Sequence, residues 1–223
     1  AVDATTRLMF ITNPNNPKGL ALTESAIDAF LAKIPRDCIV VLDEAYCHYL
    51  APEERTDSLK WVKEYANVVV TRTFSKAYGL AGLRSGFALA QPALIEMLNR
   101  IRPPFNMNTA AQAAAAACID DAAFLERVYK ENRAGVETLE TFFKEQEIRY
   151  LPTTANFVLA QTGPKTAELN TELLKRGVIV RPVKSYGLPD WLRVSVGTAR
   201  ENARFIEAFQ AARKALGLIY GGG

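Results

Sequence analysis

The sequence predicts an α/β fold, in which a mostly parallel sheet is covered by helices and is followed by a smaller α+β domain. Two observations lead to this prediction. Short apolar runs alternate with helical segments through the first half of the chain, as they do where helices join parallel strands. After a long helical segment the pattern changes to closely spaced strands and two helices, which is typical of an α+β unit.

Four apolar runs are predicted to be the strands of the first domain. The runs 38–42 (CIVVL) and 67–73 (NVVVTRT) are nearly continuous, which is typical of strands buried on both faces of a parallel sheet. The run 7–12 (RLMFIT) is short, apolar and followed by turn residues, and 87–90 (FALA) is shorter still. We therefore expect these four segments to share one sheet.

Helical segments separate these strands. Thr23 is a candidate N-cap for a helix that extends to about Ile34, because its hydroxyl can accept a backbone N–H of the first turn. Pro92 suits the first turn of a helix that ends near Arg102. The alanine-rich stretch 109–118 is predicted to be a helix that packs tightly, since its side chains are small.

Apolar residues recur at helical spacing over 122–146, which predicts one long helix. We place the domain boundary inside or just after it. The predicted division is a large domain over 1–120, a connecting helix within 121–146 and a small domain over 147–220. The predicted elements of the small domain are strands at 155–160, 178–183 and 191–196 and helices at 165–176 and 200–216, followed by a flexible tail, Gly221–Gly223.

Composition and charge exclude several classes of function. The 223 residues carry a net charge of +3 with Lys and Arg dispersed, so neither a nucleic-acid nor a membrane partner is indicated. No apolar stretch approaches the roughly 18 residues of a membrane span. The three cysteines form no CxxC pair, which predicts reduced thiols in a cytoplasmic protein. His48 is the single histidine, so a His-ligated metal site or a Ser-His-Asp triad is not expected; we interpret it, Cys47 and Cys118 as structural.

Polar side chains follow three of the predicted strands. Asn16 comes after the strand 7–12, Asp43 closes the strand 38–42 and Lys76 follows the run 67–73. The carboxyl ends of parallel strands share one edge of a sheet, where ligands bind. With neighbouring strands about 4.8 Å apart, the three groups are expected within about 10–15 Å of one another.

These residue types suit a pyridoxal phosphate (PLP) site. A lysine such as Lys76 forms a Schiff base with an aldehyde cofactor. An aspartate such as Asp43, placed beside the PLP ring nitrogen, keeps that nitrogen protonated and the ring an effective electron sink. The amide of Asn16 and the phenol of Tyr46 can donate to the phenolate oxygen of the ring.

A phosphate site is predicted beside Lys76. Arg84 follows it by eight residues, across a glycine-containing turn, and a guanidinium can bind a phosphate in bidentate fashion. Thr73 and Ser75 supply two hydroxyls next to it.

Three segments resemble the class I/II aminotransferases, which are PLP-dependent enzymes of fold type I. They are NPNNPKG (13–19), VLDEAY (41–46) and TFSKAYGLAGLRSGF (73–87). The segments 155–159 (ANFVL) and 179–198 are most similar to the histidinol-phosphate aminotransferase subfamily. The resemblance implies a fold-type-I large domain with a mostly parallel sheet, followed by a small α+β C-terminal domain.

The resemblance also implies roles for the residues. Lys76 is implied to be the Schiff-base lysine, which also carries the proton between the substrate Cα and the cofactor. Asp43 is implied to pair with the pyridine nitrogen, and Tyr46 and Asn16 to donate to the phenolate oxygen. The phosphate-binding residues implied by the resemblance are Thr73, Ser75 and Arg84.

Two arginines are candidates for binding the substrate. Arg193 resembles the arginine that holds a substrate carboxylate or, in this subfamily, the phosphate end of the substrate. It alternates with Leu192 and Val194, so it is expected to point away from their apolar face. Arg181 is a second candidate for an anionic group.

Two departures from the family pattern stand out. Lys18 lies where the family usually has threonine, in a loop where we expect little effect. The N-terminal third of the family is not represented, and the sequence begins without methionine or a signal-peptide pattern. A fragment is therefore expected, with an incomplete large domain and an incompletely walled site.

The function expected from these residues is PLP-dependent transamination, with histidinol phosphate and 2-oxoglutarate as substrates, in a cytoplasmic homodimer that serves histidine biosynthesis. Two other PLP reactions fit the same motifs, those of an aromatic aminotransferase and of a threonine-phosphate decarboxylase. A non-catalytic fragment is a third alternative. VVLDEA also resembles the Walker B strand of a P-loop NTPase, but no GxxxxGK[ST] motif accompanies it.

Overall fold

The computed structural model describes residues 2–3 and 5–218, and the chain divides into two compact units. The first comprises Ala1–Asn15 and Ala21–Tyr129, and the second comprises Asn16–Leu20 and Lys130–Gly223. The division into 1–120, 121–146 and 147–220 stays a prediction. Tyr220 and the tail Gly221–Gly223 lie outside the described residues.

The first unit contains a four-stranded sheet in the order β1-β2-β3-β4. β1, β2 and β3 are parallel, and β4 runs antiparallel to β3. The mostly parallel sheet and all four predicted strands are confirmed, each to within one residue at either end. The strands are β1 (Leu8–Thr12), β2 (Ile39–Asp43), β3 (Val68–Thr73) and β4 (Gly86–Ala90).

Helices form where the capping residues predict them. The Thr23 hydroxyl accepts a hydrogen bond from the Ala26 N–H at 3.2 Å, which caps the first helix. A short helix around Trp61 was not predicted. The helices of this part of the chain are α1 (Glu24–Leu31), α2 (Leu59–Glu64), α3 (Pro92–Ile101), α4 (Thr109–Cys118) and the long α5 (Ala122–Glu145).

The alanine tract forms a helix with the predicted bounds, but the expectation that it packs tightly is wrong. Only Ala111 and Ala115 of α4 are buried. A helix of small side chains buries little apolar area per residue, so packing on one narrow stripe leaves the other faces exposed. Alanine has the strongest intrinsic helix propensity, which explains why the segment is helical without close packing all round.

The core of the first unit lies between the sheet and α1 and α2. Ile27 and Leu31 of α1 and Trp61 of α2 pack against buried valines of β2 and β3. The Trp61 indole N–H donates to Asp28 Oδ1 at 2.5 Å, so the buried ring also finds a polar partner. This packing fixes the strands whose carboxyl ends carry the predicted site residues.

The second unit has an antiparallel sheet in the order β5-β6-β8-β7, and one of its faces packs against α5 and two further helices. Leu192 and Val194 lie in that core with Phe143 and Phe209. The predicted helices and strands are present, except that the strand predicted over 178–183 is limited to 181–183. The two-residue strand β5 was not predicted. The elements are β5 (Tyr150–Leu151), β6 (Phe157–Gln161), α6 (Thr166–Lys175), β7 (Arg181–Val183), β8 (Leu188–Ser195) and α7 (Ala199–Ala215).

Candidate functional site

Two turns at the carboxyl edge of the first sheet carry predicted site residues. We call residues 44–50, after β2, the Tyr46 turn and residues 74–80, after β3, the Lys76 turn. β2 and β3 are adjacent and parallel, with Asp43 in register with Thr71, so the two turns leave the sheet at the same edge. The Lys76 ammonium lies 5.3 Å from the centre of the Tyr46 ring. Lys76 is exposed, whereas Tyr46 is buried.

Asp43 ends β2, and its half-buried carboxylate accepts the Ala45 backbone N–H at 3.1 Å. Its main-chain carbonyl accepts the Asn13 N–H at 2.9 Å. These two bonds fix the residue where the strand ends. The other lone pairs of a carboxylate are available to a second donor.

The three predicted phosphate residues lie together. The Arg84 guanidinium donates to Ser75 Oγ at 3.4 Å and to the Ala81 carbonyl at 3.0 Å. Thr73 Oγ1 accepts the Ser75 N–H at 3.0 Å. Arg84 is exposed and adopts the left-handed conformation, with φ of 56°, which is uncommon for a residue other than glycine and suggests a functional constraint. An exposed guanidinium beside two hydroxyls provides the donors that a phosphate needs.

We did not predict from the sequence the ion pair between Glu44, which is buried, and Arg72, which is partly buried. Arg72 Nη2 lies 2.8 Å from Glu44 Oε2, and the same oxygen accepts the Ser58 hydroxyl at 2.8 Å. Burial raises the pKa of the Glu44 carboxyl, and the Arg72 charge opposes that rise. The pair ties the first residue after β2 to β3, so it holds the two strand ends together. The signal in the sequence is a charged residue at the carboxyl end of each of two apolar runs.

The side chain of His48, in the Tyr46 turn, contacts Tyr78 of the Lys76 turn. Its Nδ1 is 3.4 Å from Cys47 Sγ, and its Nε2 is 3.4 Å from the Tyr78 hydroxyl. Burial, and then the positive charges of Arg72 and Arg55, lower the pKa of His48 to about 4. Burial also raises the pKa of the Cys47 thiol to about 11, so this cysteine is not a reactive thiolate.

The low pKa of His48 makes stability depend on pH in a defined window. Above pH of about 6.5 the imidazole is neutral in both states; between about 6.5 and 4 the unfolded chain binds a proton that the folded chain excludes. The free energy of unfolding should therefore decrease as the pH is lowered from about 6.5 to about 4, by up to about 3 kcal/mol from this group. Below about pH 4, His48 should cause no further decrease. Urea unfolding at several pH values measures the fall, and a His48→Gln variant should show a shallower one. Equal falls in both proteins would contradict the prediction.

In the second unit, Asn16 contacts Arg193, which the sequence did not predict. Asn16 Oδ1 accepts a hydrogen bond from Arg193 Nη1 at 2.6 Å. The guanidinium also lies over the Phe157 ring, 4.9 Å from its centre. Within the described residues, Arg193 Nε is buried and has no hydrogen-bond partner. A buried charged donor of this kind has a strong preference for an anionic acceptor.

Arg181 and Arg193 lie side by side. They are directly opposite in the antiparallel pair β7-β8, so their side chains leave the same face of the sheet. Leu192 and Val194 are in the core on the other face, as the alternation along the strand predicts. Like charges opposite each other repel, and an anion bound between them would relieve the repulsion. Arg181 is exposed, so it is accessible to such a ligand.

Among the described residues, no group of three or more His, Cys, Asp or Glu side chains could hold a metal ion. None of the helices described is long and apolar enough to cross a membrane. The side chains described at these positions are an amine, a carboxylate, phenols and guanidinium groups.

Comparison with known proteins finds a consistent set of relatives. The family model for aminotransferase class I and II matches residues 1–209. Histidinol-phosphate aminotransferase 1 of Cupriavidus pinatubonensis is 51% identical over 217 residues, which cover 96% of this chain and 58% of that protein. Histidinol-phosphate aminotransferase 2 of Ralstonia nicotianae is 51% identical over 95% of this chain and 58% of its own length. The chain thus spans 58% of the length of these curated relatives.

Solved structures of similar fold include two named enzymes. Histidinol-phosphate aminotransferase from Sinorhizobium meliloti, in complex with pyridoxal-5'-phosphate, has a TM-score of 0.88 and 28% identity over 94% of this chain and 58% of that one. L-threonine-O-3-phosphate decarboxylase from Porphyromonas gingivalis has a TM-score of 0.84 and 25% identity over 96% of this chain and 66% of that one. The predicted fold class is confirmed by these likenesses.

Proposed function

Because this chain belongs to the family of class I and II aminotransferases, we propose that the protein transfers amino groups with PLP held by Lys76. The observation that carries the proposal is the position of the Lys76 ammonium, exposed and 5.3 Å from the centre of the Tyr46 ring. PLP, when bound, supplies an electron sink for the charge that develops at the substrate Cα. The side chains of the chain supply binding, orientation and proton transfer.

The donors in the first unit fit the groups of PLP. Lys76 would hold PLP through its primary amine, and the same amine would take and return the proton at the substrate Cα. Asp43 holds a proton at the ring nitrogen, since a carboxylate stabilises a positive charge beside it. Tyr46 donates to the phenolate oxygen. Arg84, with the hydroxyls of Thr73 and Ser75, binds the phosphate.

The second unit supplies the substrate contacts. Arg193 and Arg181, in register on β8 and β7, present two guanidinium groups on one face of the sheet. A phosphate carries up to two negative charges and three acceptor oxygens, so it satisfies this pair better than a single carboxylate does. Asn16 holds the Arg193 guanidinium in place through its 2.6 Å hydrogen bond.

We therefore propose histidinol phosphate as the amino donor and 2-oxoglutarate as the acceptor, in histidine biosynthesis. The names of the relatives at 51% identity and the paired arginines support this choice. We also propose a cytoplasmic homodimer; the three free cysteines agree with a reducing compartment.

The test is a single-turnover assay on the chain loaded with PLP. Histidinol phosphate should discharge the near-visible band of the Lys76 Schiff base, and 2-oxoglutarate should restore it, as ping-pong transfer requires. Histidinol, which lacks the phosphate, should react at least about 100-fold less efficiently, because two charge-assisted contacts are lost.

The alternatives give different results in the same assay. A preference for phenylalanine would indicate an aromatic aminotransferase, and carbon dioxide released from threonine phosphate would indicate a decarboxylase. PLP uptake without discharge by any amine would mean that the chain is non-catalytic by itself and would overturn the proposal for this chain.

A further inference from the structure

The Tyr46 turn and the Lys76 turn are joined by one aromatic pair outside the proposed cofactor contacts. The rings of His48 and Tyr78 meet edge to face, with centroids 5.0 Å apart and planes at 71°. The Tyr78 hydroxyl and His48 Nε2 are 3.4 Å apart, within hydrogen-bond distance. His48 lies two residues after Tyr46, and Tyr78 lies two residues after Lys76. The pair therefore connects the neighbours of two proposed cofactor residues.

Each partner is also held by contacts with residues close to it in the chain. The His48 carbonyl accepts a hydrogen bond from Arg55 Nη2 at 2.9 Å, and its Nδ1 lies 3.4 Å from Cys47 Sγ. Tyr78 is only 8% exposed, and its ring packs on Phe74 with centroids 5.0 Å apart. Neither ring can move far without moving the turn that carries it, because close-packed side chains transmit displacement.

The backbone of each turn bonds mainly to itself. In the Tyr46 turn the Tyr49 N–H donates to the Tyr46 carbonyl at 3.1 Å. In the Lys76 turn the Gly79 N–H donates to the Lys76 carbonyl at 2.9 Å, and the Leu80 N–H donates to the Phe74 carbonyl at 2.9 Å. Such bonds keep each turn rigid without setting the distance between them. Strand pairing and the Glu44–Arg72 ion pair hold the two strand ends together. Beyond the strand ends, side-chain contacts hold one turn against the other, and the His48–Tyr78 pair is one of them.

We propose that His48 and Tyr78 are positioning residues, which hold the Lys76 amine at its distance from the Tyr46 phenol. The inference rests on the proposed function, in which these two groups act on the same cofactor. Loss of the Tyr78 hydroxyl lets the turns separate and weakens the donation from Tyr46 to the phenolate oxygen. A hydrogen bond to an anionic oxygen favours the anion, so weakening it makes the adjacent Schiff base harder to deprotonate.

The test compares Tyr78→Phe with the wild-type chain, both loaded with PLP. The pH at which the absorbance of the Schiff base changes should rise by about half a unit to one unit in Tyr78→Phe, and the dissociation constant of PLP should rise about fivefold, as for one hydrogen bond. Tyr65→Phe is the matched control, because Tyr65 is buried in the same unit just before β3, at the opposite end of that strand from the Lys76 turn. It should leave the spectral titration unchanged.

Two variants at position 48 extend the test. His48→Gln keeps a side chain that can form a hydrogen bond with the Tyr78 hydroxyl, so it should retain a spectral titration close to that of the wild-type chain. His48→Leu cannot form this bond and should behave like Tyr78→Phe. A purely structural role would lower thermal stability in these variants without moving the spectral titration, and that result would overturn the proposal.

Amide hydrogen exchange in the chain without PLP separates this inference from the proposed function. Faster exchange over residues 74–80 in Tyr78→Phe than in Tyr65→Phe supports positioning even if no Schiff base forms, in which case only the proposed function fails. Exchange over residues 74–80 that is equal in Tyr78→Phe and in the wild-type chain overturns the positioning role. So does an unshifted spectral titration in Tyr78→Phe when the wild-type chain binds PLP.

Discussion

Replacement of Lys76 by alanine is expected to abolish covalent retention of PLP and to lower transamination by at least about a thousandfold, because both the Schiff-base amine and the proton carrier are lost. Stability should change by less than about 0.5 kcal/mol, since Lys76 is exposed and no buried charge is left unpaired. Borohydride reduction followed by peptide mass analysis measures the covalent adduct directly.

The matched control is Lys63→Ala, which removes an exposed lysine from α2 in the same unit. This variant should keep the adduct, and the modified peptide should be the one that contains Lys76. An adduct that persists in Lys76→Ala at wild-type yield would show that another amine holds the cofactor, and the assignment of the site would then be wrong.

Much of the first unit could be predicted because a parallel strand that is buried on both faces is a continuous apolar run in the sequence, as β2 is. Such runs can be recognised without knowledge of the tertiary structure. The helix α2 was missed because it has only six residues and no side-chain cap at Ser58. The antiparallel direction of β4 was also missed. The direction of β4 depends on the path of the Lys76 turn and of the residues that follow it. A short apolar run in the sequence does not indicate whether its strand is parallel or antiparallel to its neighbour.

Candidate site residues could be proposed from the sequence where they close strands or belong to a recognised motif, as with Asp43 and Lys76; their roles stay predictions. Contacts between distant positions were not found. The Asn16–Arg193 bond joins residues separated by 177 positions, and the side-by-side placement of Arg181 and Arg193 depends on the register of β7 against β8. No local pattern encodes such register, because it follows from how whole strands pair.

Gly19 is the glycine whose replacement should have the largest effect on the second unit. Its φ is +74°, and a Cβ at this position would lie 2.0 Å from Thr153 Oγ1 and 2.8 Å from Thr153 Cβ. The Gly19 carbonyl accepts the Thr154 N–H at 2.9 Å, which holds the segment Asn16–Leu20 against the rest of the unit. An added methyl group therefore has to displace this segment or Thr153.

We expect Gly19→Ala to lower the free energy of unfolding by about 2–4 kcal/mol, of which about 1 kcal/mol is strain at positive φ and the rest is overpacking. Urea unfolding of the purified chain measures this difference. Gly177→Ala separates the two causes, because Gly177 has the same φ of +74° with no heavy atom of the described residues within 4 Å. That control should show the strain alone.

The same substitution should affect substrate binding through Asn16, three residues earlier. Displacement of the segment breaks the 2.6 Å bond that orients the Arg193 guanidinium, so affinity for a phosphorylated amine should fall, by about tenfold for one charge-assisted bond. Gly177→Ala should leave this affinity unchanged. If Gly19→Ala loses stability but binds histidinol phosphate as tightly as the control, the segment serves packing alone, and Arg193 is oriented sufficiently by the Phe157 ring beneath it.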